Sequence, residues 1–216
     1  MKLNRYLTAL FLCFVSHVAL CAEREFHSID EFLGTLPPNH RKQVVEGDLN
    51  GDKLNDRAII EINQVDQATG SYDELKIYVL LKKADGAFYI AQTSKMAPVT
   101  LDDKFFRAIK IENGSLYIEF EGGLHPSWAR YQFKLYKGLW RLIGMTSSAT
   151  DPYRTLPDGG VASDGMDFNL LTGDIAYIRD EDTAQKKINR NKVAVKACFL
   201  ADFDFSDEFV DKFCKK

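Results

Sequence analysis

The chain has few of the residues from which catalytic and metal centres are most often built. It contains four histidines and four cysteines among 216 residues. No histidine follows another at the four-residue spacing of a helical zinc site, and no Gly-x-Ser-x-Gly sequence is present. Acidic pairs such as Asp102-Asp103 fall in turns, where carboxylates are ordinarily solvated. A hydrolase with a dispersed site is therefore the lowest-ranked function.

Clustered positive charge is also missing. The formal net charge is −3, and it becomes more negative once the basic residues Lys2 and Arg5 are removed with the amino-terminal segment. A nucleic-acid-binding protein needs a concentrated basic face that neutralises phosphates. The composition therefore predicts no nucleic-acid partner.

Long apolar runs are limited to the amino terminus. Two basic residues precede the apolar run 6–20, and small residues follow it. This is the layout of a secretory signal, so residues 1–21 are predicted to be a cleaved signal peptide of a periplasmic or secreted protein. A retained anchor is the alternative, but the run is shorter than the roughly 20 residues of a spanning helix. A lipid anchor through Cys21 is a further alternative, although Leu20 is bulkier than lipoprotein signals favour.

Cleavage after residue 21 leaves two cysteines, Cys198 and Cys214. A pair of cysteines in an exported chain predicts a disulfide, which would stabilise the fold by roughly 3 kcal/mol on the chain-entropy model. Two separately buried thiols are the alternative.

The remaining chain, 22–216, is predicted to be a single, mainly β domain of antiparallel meander or blade-like sheets with short terminal helices. Alternating apolar segments recur with turns every eight to twelve residues, and Asn113-Gly114 is a strong hairpin signal. Helices are expected at 28–33 and 206–213, and a last strand at 193–199. The interval 151–165 is expected to be the least ordered.

The strongest chemical signal is an acidic loop between two predicted strands. Side-chain oxygens recur at the first, third, fifth and ninth positions, and a backbone carbonyl is available at the seventh; these residues are Asp48, Asn50, Asp52, Asp56 and, for the carbonyl, Leu54. Calcium takes six to eight oxygen ligands in flexible geometry. The spacing therefore predicts a calcium site.

The run Gly47-Asp-Leu-Asn-Gly-Asp52, followed by Asn55-Asp56 and an apolar strand, resembles the calcium loop of FG-GAP, integrin-like β-propeller repeats. It differs from an EF-hand, which has a bidentate Glu where this chain has Ile59. One such loop cannot build a propeller. The wider layout, including segments 110–123, 129–144 and 168–173, looks like a family of small exported bacterial proteins of uncharacterised function.

The resemblance implies the same five ligands, with one departure. Where the family usually carries Gly at the sixth loop position, this chain has Lys53. A lysine adopts the left-handed turn at a steric cost and adds positive charge near the ion. Both effects predict weak affinity, with a dissociation constant of about 10⁻⁴ to 10⁻³ M. The alternative is a metal-free turn in which Asp48 and Asn50 accept bonds from nearby backbone amides.

The segment 125–131 is the best candidate for a recognition surface. Trp128 and Arg130 next to a Gly-Gly pair could anchor a peptide or a glycan. Because aromatic residues recur along these strands, the favoured alternative packs Trp128 into a neighbouring sheet and leaves Arg130 in solvent.

The leading hypothesis is an exported, non-enzymatic β-rich binding protein whose loop holds one structural calcium, with a protein or glycan partner in the cell envelope. An inhibitor or immunity-type protein that blocks a secreted or envelope enzyme is the alternative.

Overall fold

The strands of the protein form two antiparallel sheets. The structure, a computed structural model, describes residues 24–67, 70–99, 104–122, 127–180, 186–206 and 209–214. The predicted signal peptide, with Cys21, lies outside these residues. The prediction of a mainly β, antiparallel fold with short helices is confirmed.

The first sheet has the order β1-β5-β4-β3-β2, and β6 pairs with β4. Its strands are β1 (Glu25–Phe26), β2 (Arg41–Gly47), β3 (Asp56–Gln67), β4 (Gly70–Lys82), β5 (Phe88–Thr93) and β6 (Ala97–Pro98).

The second sheet is a meander in which each strand pairs with the next along the chain, from β7 to β13. Its strands are β7 (Lys104–Glu112), β8 (Ser115–Gly122), β9 (Ser127–Tyr136), β10 (Leu139–Thr155), β11 (Val161–Asn169), β12 (Asp174–Asp180) and β13 (Lys186–Lys192). Tight turns explain this order. Asn113 and Gly114, at φ 52° and 67°, both adopt the left-handed conformation that the commonest two-residue hairpin requires.

The main core contains residues from both sheets and from the carboxyl-terminal segment. Alternate residues of β3, such as Ile60, and of β8, such as Ile118, are fully buried in it. The ring of Phe203 packs edge-on against Tyr131 and Phe133 of β9, at centroid distances of 5.0 and 5.2 Å. The carboxyl-terminal segment therefore covers part of the inner face of the second sheet.

A second core lies on the outer face of the first sheet, beneath helix α1 (Ile29–Leu33). The predicted cap is present, because the Ser28 side chain accepts a bond from the amide of Glu31. Phe32 of the helix packs edge-on against Phe26 and Tyr78, with ring centroids 5.2 Å apart in each pair.

Two local predictions were wrong. The interval 151–165, expected to be the least ordered, is the far part of the β10–β11 hairpin, with a register shift between Thr150 and Thr155. The predicted strand at 193–199 lies outside the named strands and has an isolated bridge between Phe199 and Arg141. The last described strand is instead β13, whose sequence is polar except for Ile188. The conformation of β13 is therefore decided by its pairing with β12 and not by hydrophobic periodicity.

The carboxyl-terminal segment contains a short 3₁₀ helix (Leu200–Asp202) and a π-helical turn (Val210–Cys214). Phe209 and Val210 point inward as predicted, while the side chain of Phe213 lies outside the described part. Cys198 and Cys214 lie at disulfide distance, with their Cα atoms 5.5 Å apart. Across the described residues, every helix is too short or too polar to span a bilayer.

Candidate metal centre

The acidic loop connects β2 to β3 at the edge of the first sheet. Its residues at both ends are fixed by the fold. Leu49 is buried in the main core, and Asp56, the first residue of β3, is fully buried. The loop also lies close to the second sheet, because a Cβ atom on Gly47 would come within 2.6 Å of Ile111 in β7. A glycine is therefore required for this approach.

Three carboxylates meet in this loop. One side-chain oxygen from each of Asp48, Asp52 and Asp56 lies within 4.8 Å of the other two. Calcium–oxygen bonds measure about 2.4 Å, so oxygens bound to one ion are at most about 4.8 Å apart. The three aspartates thus form a group that could hold a metal ion.

Asp56 is the innermost member of the group. One of its oxygens accepts from the amide of Leu49 at 2.8 Å, and the other from the amide of Lys82 in β4 at 2.9 Å. Burial raises the pKa of Asp56, the two amide bonds oppose that rise, and the negative charges of Asp52 and Asp48 add to it. A cation in the group would relieve this repulsion.

Asp48 and Asp52 are ordered by the loop backbone. Asp48 accepts from the amides of Gly51 and Lys53, at 2.7 and 2.9 Å. Asp52 accepts from the amide of Leu54 at 2.8 Å. The bonds expected for a metal-free turn are therefore present, but each carboxylate oxygen has a second lone pair. These bonds hold the carboxylates in place without using up their capacity to bind an ion.

The other two predicted ligands, Asn50 and Leu54, also form hydrogen bonds within the loop. The amide nitrogen of the Asn50 side chain donates to Asp52 at 2.9 Å, while its oxygen accepts from the Asp52 amide at 3.0 Å. The Leu54 carbonyl accepts from the amide of Asp56 at 3.2 Å. Lys53 has a φ of 67°, so it adopts the left-handed conformation at the position where the resembled family has glycine.

The recognition residues lie elsewhere, on the outer face of the second sheet. Trp128 is 41% exposed, so the favoured expectation that it packs into a neighbouring sheet was wrong. Arg130 is not a free solvated charge either. Its guanidinium lies 3.9 Å from the ring centroid of Tyr117 and pairs with Glu112 at 3.0 Å and Glu119 at 3.4 Å. His125 and Pro126 lie outside the described residues.

Sequence reasoning missed a second polar cluster, on the outer face of the first sheet. Glu61, 2% exposed, accepts from the Tyr78 hydroxyl at 2.6 Å, and its other oxygen lies 2.6 Å from Nδ1 of His40. Burial, the bond to Glu61 and the charge of Glu61 all raise the pKa of Tyr78. The one sequence signal of this cluster is that Glu61 interrupts the apolar run 58–62.

No protein-family model, no curated protein and no solved structure matches this chain. The function must therefore be argued from the residues themselves.

Proposed function

We propose that the protein is an exported, non-enzymatic β-rich binding protein that is stabilised by one calcium ion in the loop 48–56. The observation that carries the proposal is the convergence of three aspartate oxygens within 4.8 Å, one of them from the fully buried Asp56. Carboxylate oxygens are the ligands that calcium prefers, and the loop is held by backbone bonds that leave lone pairs available.

The ion would act as a structural clamp. Asp56 is bonded to the backbone of both the loop and β4, and Gly47 lies against Ile111 of the second sheet. An ion that neutralises the carboxylates would therefore stabilise the corner at which the two sheets approach each other. The ligand set would consist of the side chains of Asp48, Asn50, Asp52 and Asp56 and the carbonyl of Leu54.

Calorimetric titration with calcium tests this proposal. We expect a single site with a dissociation constant of about 10⁻⁴ to 10⁻³ M. At ten times that concentration the ion would add about 1.4 kcal/mol to the free energy of unfolding. The double variant Asp48→Ala, Asp52→Ala should lose both effects. Asp158→Ala, which changes an acid in the exposed turn of the β10–β11 hairpin, is the matched control and should bind normally. Absence of heat and of stabilisation in the parent would contradict the proposal.

A gain of affinity provides a second test. Lys53→Gln removes the positive charge near the ion but keeps the strained backbone position. We expect several-fold tighter calcium binding, because one repulsive charge at an exposed site costs about 0.5–1 kcal/mol. Lys137→Gln is the matched control, since Lys137 also has a positive φ, 51°, but lies in a hairpin turn of the second sheet. Unchanged affinity in the Lys53 variant would argue against an ion near this residue.

The cysteine pair supports the proposed location. Disulfides persist in oxidising compartments, and Cys198 and Cys214 lie at the distance that a disulfide requires. Cell fractionation, with mass measurement of the exported chain before and after reduction, should show removal of residues 1–21 and a loss of two protons that reduction reverses. A full-length chain in which Cys198 and Cys214 are both free thiols would contradict export.

One observation favours the alternative, an inhibitor of a secreted or envelope enzyme. Among the described residues, the hairpin of β10 and β11 continues past Ala149, where the described pairing of β10 with β9 ends. Near its end Tyr153 is 95% exposed, and Arg154 binds Asp164 at 2.5 Å across the two strands. A projecting, braced tyrosine is suited to anchoring in the cleft of another protein.

The inhibitor hypothesis predicts a stoichiometric complex with an enzyme whose activity falls on binding. Tyr153→Ala should abolish both the complex and the inhibition, whereas Tyr177→Ala, which changes another exposed tyrosine in β12, should leave them intact. A complex that forms equally well without Tyr153 would rule out the hairpin as the inhibitory element.

A further inference from the structure

We propose that the outer face of the second sheet is a binding site for a neutral, flat oligosaccharide of the β-1,4-linked type. This inference deepens the proposed binding function by naming a ligand class, and it does not depend on the calcium site. The site is defined here as the β10 trough, whose floor is formed by β10 and whose walls are formed by β9 and β11.

The register of the strands creates the trough. Residues directly opposite each other on paired strands share one face of the sheet. Three cross-strand rows result, and they are Trp128, Ser148 and Gly165; Arg130, Thr146 and Asp167; and Gln132, Gly144 and Asn169. In every row the middle residue, from β10, is small, so the floor lies lower than the wall formed by β9.

The dimensions of the trough suit a short sugar chain. The floor from Gly144 to Ser148 spans four residue steps, or about 13 Å, and its walls are two strand spacings, or about 10 Å, apart. One cleft of about 300 Å³ lies along it, between Gln132 of β9 and Asn169 of β11. A second cleft, of about 310 Å³, shares Arg130 and Thr146 with it but extends from Trp128 towards Lys110 and Glu119 of β7 and β8. The trough therefore has room for roughly two or three pyranose rings lying flat on the sheet.

Glycine at position 144 helps to keep the floor low. A Cβ atom there would lie 3.3 Å from the side-chain oxygen of Gln132. That oxygen, at the trough wall, would have to move to make room for any larger residue.

The charges on this face favour a neutral ligand. Arg107 pairs with Glu121 at 2.7 Å, and Lys110 pairs with Glu119 at 2.8 Å. Arg130 is held by two carboxylates and by the ring of Tyr117, as described above. These cations already pair with carboxylates of the protein. An anionic ligand would therefore have to displace those carboxylates.

The side chains at the trough match the two surfaces of a sugar. Trp128 offers an exposed aromatic ring, onto which the apolar C–H face of a pyranose can stack. Asp167 and Asn169, on the opposite wall, are exposed. The side-chain oxygen of Asn169 accepts from the amides of Leu171 and Thr172, so the groups offered to hydroxyls are the Asp167 carboxylate and the side-chain nitrogen of Asn169. A β-1,4-linked chain is a flat ribbon and follows a sheet surface, whereas an α-1,4-linked chain curves away from it.

Fluorescence provides a direct test, because the two tryptophans differ in exposure. Trp140 is fully buried and Trp128 is exposed, so acrylamide quenching of the native protein reports mainly on Trp128. The probes are cellotriose and chitotriose, with maltotriose as the curved control and tri-galacturonate as the anionic control. We expect saturable protection of Trp128 by at least one β-1,4-linked trimer below about 10 mM, and weaker or no protection by the two controls.

Variants then assign the binding to the trough. Trp128→Ala, followed by calorimetry, should weaken binding by about tenfold or more, and Asp167→Ala should weaken it by about fivefold. Tyr177→Ala removes an exposed aromatic outside the trough and should bind normally. Binding should persist in a calcium chelator, so that failure of the calcium proposal and failure of this one are separable.

Three results would overturn the inference. They are the absence of binding by both β-1,4-linked trimers, binding that Trp128→Ala leaves unchanged, and tighter binding of the anionic or the curved trimer.

Discussion

The outer face of the first sheet is covered by α1, whereas within the described chain the outer face of the second sheet presents Trp128 at the surface. Both faces carry an aromatic residue and a paired glutamate. At the first face Phe32 of α1 and Glu61 of β3 are buried, while at the second Trp128 and Glu121 are exposed. An aromatic residue and a glutamate therefore have different roles at the two faces. At the covered face they stabilise the fold, and at the open face they are available for binding.

The aromatic residues of the two faces should show the largest difference in stability. Phe32→Ala removes a ring packed against Phe26 and Tyr78, and we expect the free energy of unfolding to fall by about 4 kcal/mol. Trp128→Ala is the matched change on the open face and should cost less than about 1 kcal/mol. Urea denaturation of both variants measures the difference. Equal losses would mean that something also covers Trp128.

The paired glutamates of the two faces should show the second-largest difference in stability. Glu61→Ala leaves the Tyr78 hydroxyl and the His40 ring without their buried partner, and we expect a loss of about 3 kcal/mol in the free energy of unfolding. Glu121→Ala breaks the exposed pair with Arg107 and should change stability by about 0.5 kcal/mol or less. Thermal unfolding at neutral pH checks both values, and a small loss for Glu61→Ala would show that water reaches the cluster.

The smallest effect should be the pH dependence that Tyr78 confers. Its pKa is raised in the folded protein by burial and by Glu61, so folding favours the neutral phenol. The stability it contributes is fully present below the unfolded pKa of about 10 and is lost as the pH rises above it. Between pH 10 and 11 the advantage of the parent over Tyr78→Phe should therefore shrink by about 1 kcal/mol. A constant difference across this range, in urea titrations of both proteins, would contradict the buried phenol.

Local signals predicted the parts of the fold that short-range geometry decides. Asn113-Gly114 adopts the left-handed turn that its sequence favours, and Ser28 caps the first helix. The spacing of Asp48, Asp52 and Asp56 was also sufficient, because a single loop brings the three carboxylates together. Calcium itself stays a prediction.

Long-range pairing accounts for what the sequence could not show. Glu61 meets His40 and Tyr78 only because the register of the first sheet places distant parts of the chain on one face. The trough floor likewise depends on Gly144 standing opposite Gln132 and Asn169, which no local pattern indicates. Strand β13 forms although it lacks apolar alternation, and it pairs with β12 through contacts such as Lys192 with Asp174 at 3.6 Å.

The contacts of Phe203 have a consequence for the order in which the molecule assembles. The rings that fill the inner face of β9 include Phe203, which also packs against Phe209, and both residues follow every described strand along the chain. A nascent chain that has completed every strand still presents Tyr131 and Phe133 to water. Final closure of the core must therefore wait until the segment after β13 has been translated, and the intervening species, with its exposed aromatic sheet, is the one most prone to aggregation or chaperone capture.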